Sequence, residues 1–182
     1  NNMSWIYLSH TLSESTPLYN DDGGIQIQKL HKMSDGDSCN SSHLSMPVHS
    51  GTHIDAPYHF DQNGKTLDQY PADFWIASKP IMIEVIAKPG CLLTYNLVKD
   101  HLVKIPADSD MLLIRTGAEF WRNNGTDDYS KKGVGLDLDL ADWIRVNLDL
   151  KIIGFDFISL SSPLHRATGR LSHQALLSEH PS

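Results

Sequence analysis

Residues 49–60 read HSGTHIDAPYHF. Three histidines and an aspartate, His49, His53, Asp55 and His59, fall within twelve positions, interrupted by Gly51 and Pro57. On a helix, His49 and His53 would share a face, but Asp55 and His59 would point elsewhere and Pro57 would break the backbone. On a straight strand all four would share a face, yet His49 and His53 would lie about 13 Å apart at about 3.3 Å per residue. One metal ion with bonds near 2 Å cannot bridge that gap. The stretch itself contains the repair. Ser50-Gly51-Thr52 can turn the chain, because glycine accepts positive φ. His49 then folds back beside His53 and Asp55.

Neutral imidazoles with a carboxylate suit a borderline divalent ion, zinc first, with manganese or iron as alternatives. Cys39 and Cys91 are far apart, read as ordinary buried thiols, and do not join the set. A closed structural zinc site is therefore disfavoured, and an open position for water points to catalysis. His59 follows a proline and reads as an acid or base standing over the substrate.

The rest of the chain sets bounds. Its 182 residues are enough for one α/β domain, with 40% hydrophobic and 20% charged residues. The formal net charge of −7 gives no basic footprint for nucleic acid or for an anionic membrane surface. No apolar run is long enough to span a bilayer, the opening residues lack leader character, and cytoplasm is the expected location.

Strands are expected at 5–8, 25–31, 43–48, 79–87, 110–115 and 151–156, and helices at 94–104 and 138–147. A last helix is expected from Ser172, with that serine as its cap. Asp156 reads as a structural carboxylate orienting a loop at a strand end, and His165 as a surface histidine. Glycine-rich nucleotide loops and the serine-hydrolase elbow are missing from the sequence.

The pattern H-x-G-T-H-x-D-x-P-x-H-F, filled here at every fixed position, resembles the signature of the cyclase family of metal-dependent hydrolases, which includes bacterial kynurenine formamidase and isatin hydrolase. LSHTL at 8–12, TPLY at 16–19, LLIRTG at 112–117, IIGFD at 152–156 and SHQALL at 172–177 extend the resemblance, although Asn20 stands where a proline is usual. The resemblance implies a single α/β domain over 1–182, of a swivelling β/β/α type with a partly closed mixed barrel, forming a homodimer or homotetramer. It implies that His49, His53 and Asp55 bind a divalent metal. Asp55 would bridge to a second metal that His173 also binds, and His59 would be the catalytic acid/base. Spacing alone leaves His173 as a helix-surface histidine.

The implied reaction is hydrolysis of a small-molecule amide, foremost an aryl formamide such as N-formylkynurenine. The alternatives are a cyclic amide of the isatin type, or metal binding without turnover. Phe74, Trp75, Trp5 and Tyr19 are candidates for gripping an aryl group. The family also carries a metal-binding Glu on a strand after the SH-x-x-L helix. Glu179 matches it poorly, so a further C-terminal segment is expected past Ser182.

Overall fold

The computed structural model describes residues 6–21 and 23–178, so Trp5 and Glu179 lie outside the described residues. The chain divides into two compact units between Ile54 and Asp55.

The first unit is built on an antiparallel hairpin of β1 (Gln26–His31) and β2 (Ser41–Ser45). Gln26 pairs with Ser45 and Lys29 with Ser42, and a bulge then brings His31 opposite Ser41. The connecting turn is closed by side chains. Lys32 N–H donates to Asp37 Oδ2 at 2.7 Å and Met33 N–H to Asn40 Oδ1 at 2.9 Å. Strand β2 ends earlier than the expected 43–48, just before Met46-Pro47, because proline has no N–H for a ladder. Both strands are largely exposed, and burial in this unit concentrates at Thr16, Leu18, Ile25 and Ser50.

Of the strand expected at 5–8, the described residues form none. Ile6, Tyr7 and Leu8 lie exposed without a ladder partner. Strand propensity reflects packing and pairing more than the backbone itself, and these residues have neither. Cys39 is exposed, not buried as expected, because it falls in the hairpin turn.

The second unit carries a three-stranded parallel sheet, ordered β3 (Pro80–Glu84), β5 (Met111–Arg115) and β7 (Ile152–Phe155). Parallel neighbours need crossovers. These contain α1 (Tyr95–Leu102), α2 (Glu119–Asn123), α3 (Asp127–Ser130) and α4 (Leu138–Asn147). Thr94 caps α1 by accepting from Leu97 N–H, and Asp137 caps α4 by accepting from Asp139 N–H. A second parallel pair joins β4 (Leu92–Leu93) to β6 (Gly135–Leu136). The core of this unit is fully buried at Leu93, Val98, Leu112, Leu136 and Leu140.

Two polar devices fix the chain ends that matter for the site. Just past β7, Asp156 accepts from Thr116 N–H and Oγ1–H at 2.8 and 2.7 Å, and from Gly117 and Ala118 N–H at 2.8 and 3.1 Å. It holds the turn after β5, as expected of a structural carboxylate. The last helix, α5, runs Arg166–Leu177 and so begins before Ser172. Ser172 is no cap. It is fully buried inside the helix, and its hydroxyl approaches Leu136 O at 2.9 Å and Thr168 O at 3.1 Å. A mid-helix serine can satisfy its hydroxyl on the preceding turn, and here the side chain also ties α5 to β6.

The fold is thus α/β, with parallel and antiparallel sheets. Among the described residues no mixed barrel closes. Each ladder is of one sense, and the outer edges of β3 and β7 carry no strand. Closure requires every edge to be paired.

Candidate metal centre

In the first unit the chain turns where the sequence predicts. Gly51 sits at φ +62°, and the His49 and His53 rings meet edge to face with centroids 5.3 Å apart. Ser50 is buried and donates to Pro47 O at 2.5 Å, while Thr52 Oγ1 accepts from His10 N–H at 3.2 Å. A side chain at Gly51 would be strained by its φ and would press on Leu12 Cδ1 at 3.2 Å. His53 Nδ1 lies 2.9 Å from Gly51 O. A carbonyl can only accept, so this nitrogen carries the hydrogen and Nε2 is left as the lone-pair donor.

The second unit opens with Asp55, half-buried and outside any helix or strand, then the extended Ala56 and a 3-10 turn over Pro57–His59 with Pro57 in its first position. His59 N–H donates to Ala56 O at 2.9 Å, and Tyr58 N–H to Lys65 O at 3.1 Å. Gly64 makes this loop possible. A Cβ there would lie 2.7 Å from Pro57 C and 2.9 Å from Tyr58 N. The turn presents an exposed His59, edge-on to Phe60 at 4.5 Å.

The fold brings His173 to this loop from far along the chain. It is 3% exposed, stacks on Phe60 with centroids 4.4 Å apart, and meets His59 edge to face at 5.8 Å. It is therefore no helix-surface histidine. Its Nδ1 lies 2.7 Å from Gly169 O and 3.3 Å from Ser161 Oγ. As at His53, the carbonyl requires Nδ1–H and leaves Nε2 as the lone-pair donor.

Each of these side chains is of a kind that a divalent ion takes: His53 and His173 are imidazoles whose Nδ1 is held by a backbone carbonyl, and Asp55 is a carboxylate that is only half-buried. His165 is exposed at the start of α5, as expected. Phe74 and Trp75 pack against each other and Tyr70, with centroids 4.5 to 5.5 Å apart, and Tyr19 is half-buried in the first unit. Sequence reasoning missed Phe60 as the stacking partner, and Gly64, Gly169 and Ser161. Two signals were available: the Asn63-Gly64 turn pair, and a glycine inside a helical stretch.

Known proteins bear on this arrangement. The Cyclase family model matches residues 6–162. The chain is 25% identical to Cyclase-like protein 3 of Arabidopsis thaliana, over 85% of this chain and 58% of that protein. It is 29% identical to kynurenine formamidase of Geobacillus thermodenitrificans, over 86% of this chain and 69% of that one. Isatin hydrolase A from Ralstonia solanacearum is similar in fold, with a TM-score of 0.69 at 21% identity, covering 92% of this chain and 74% of that chain. An isatin hydrolase bound to thioisatinate gives a TM-score of 0.68 at 18% identity, with the same coverage. The match spans 58% of the length of the Cyclase-like 3 proteins of both Arabidopsis thaliana and rice, Oryza sativa.

Proposed function

Because the chain belongs to the Cyclase family, we propose that it is part of a metal-dependent hydrolase of carbon–nitrogen amide bonds, with an aryl formamide as its foremost substrate class. The observation that carries the reading is the meeting of His59 and His173 over Phe60, with His173 Nδ1–H committed to Gly169 O. On this reading, two histidines distant in sequence take different tasks.

His49, His53 and Asp55 would hold the divalent ion, zinc or manganese, and His173 would present Nε2 to a second ion. Such an ion acidifies water and polarises a carbonyl. His59, exposed and outside the buried stack, is suited to move protons. It would take one from the attacking water and return it to the leaving nitrogen. The relative named kynurenine formamidase supports the aryl formamide reading. A cyclic amide would be opened by the same residues, so isatin is the comparison substrate.

The test is chelation followed by dialysis, assayed on N-formylkynurenine and isatin side by side. Hydrolysis should disappear and return with Zn²⁺ or Mn²⁺. Full activity in protein shown by elemental analysis to be metal-free would refute the reading.

A further inference from the structure

Gly169 lies inside α5, where glycine costs about 1 kcal/mol relative to alanine. The fold explains why alanine cannot replace it. A Cβ at Gly169 would sit 2.5 Å from Ser161 Cβ and closer still to Ser161 Oγ and Cα. The last of these is backbone and cannot swing aside. Gly169 is itself buried, one turn before His173, and its carbonyl is the closer of the two oxygens beside His173 Nδ1. Ser161 Oγ, brought close only because Gly169 has no side chain, supplies the second. Ser161 is held in turn by its N–H, which donates to Ser159 Oγ at 3.2 Å.

We infer that Gly169 and Ser161 are positioning residues for His173. The missing side chain lets the Ser161 segment close onto α5. The two oxygens then hold the ring as the Nδ1–H tautomer, with Nε2 as the atom offered to a metal. The metal role rests on the hydrolase reading above, whereas the tautomer does not.

The experiment uses the full chain labelled with ¹⁵N at histidine, free of metal, with the His173 signals assigned by His173→Gln. Nδ1 should appear as the protonated, pyrrole-type nitrogen and Nε2 as the pyridine type. Gly169→Ala should blur this signature and weaken Zn²⁺ binding by about 10- to 100-fold, the usual effect of losing an outer-shell partner. Adding Ser161→Gly removes the side-chain atoms that the new methyl meets and should recover part of both. Should Gly169→Ala fail to fold, Ser161→Ala tests the same point, since losing the second oxygen should reduce the preference for Nδ1–H. A wild-type His173 protonated at Nε2 overturns the inference. So does a signature left unchanged by both single substitutions. Wild-type protein that takes up no Zn²⁺ defeats the hydrolase reading instead, and the ¹⁵N signature still decides this one.

Discussion

His59 and His173 set one side-chain type in two different surroundings. His173 is buried against Phe60 with its Nδ1 hydrogen spoken for, while His59 is exposed at the end of a proline-started turn. An exposed imidazole can exchange protons with substrate and solvent, whereas a locked one is better suited to donate a lone pair. His59→Ala should therefore lower kcat by roughly 10²–10⁴ while elemental analysis finds near wild-type metal. His53→Ala should lose metal and activity together. Equal metal loss in both variants would make His59 a ligand and end the division of roles. The sequence displays His49, His53, Asp55 and His59 as a local cluster, because a turn at Gly51 needs only neighbouring residues. His173 is invisible to spacing, since only the packing of α5 brings it to the loop.

At the scale of elements, strands and helices with strong patterns were legible, and their ends were not. β5, β7, α1 and α4 match the expected spans closely, each supported by an apolar period or a cap. The start of α5 was misplaced because Ser172 has cap chemistry, and only tertiary structure reveals the Leu136 carbonyl beside it. Asp156 was legible as structural, but its neighbour Glu119 was not. Burial, and then Glu119, pushes the Asp156 carboxyl above its ordinary 3.8. Hydrogen bonds from Asp156 and then Arg115 hold Glu119 down at about 2. The signs are opposite. Glu119 contributes stability fully above its unfolded value of 4.5, and loses it as pH falls through about 2. Asp156 contributes fully below 3.8 and loses it as pH rises through its raised folded value. Glu119→Gln should therefore flatten the fall of the urea midpoint between pH 4.5 and about 2, because the group that must be protonated there is gone. Superimposable acid limbs for variant and wild type would show that the pair does not act this way.

For the molecule as a whole, metal binding and folding should be linked. An ion that binds only the native state stabilises it by about 2.7 kcal/mol at a hundred times its Kd, and any affinity for the unfolded chain reduces that gain. His49, His53 and Asp55 are close in sequence, so if they bind the ion as proposed, the unfolded chain would keep some affinity for it. His173 is different. It reaches Phe60 and His59 only when α5 is packed, with Ser172 bonded to Leu136 and Gly169 against Ser161. An ion that uses His173 therefore discriminates folded from unfolded chain more sharply than one held by the local residues alone. Saturating Zn²⁺ should raise the thermal midpoint of the wild type, and His173→Gln should lose a larger share of that rise than of its metal-free stability. Calorimetry with and without Zn²⁺ on both proteins measures the two quantities separately. An equal Zn²⁺-induced rise in wild type and His173→Gln would mean that His173 supports the ring stack and takes no part in holding the ion.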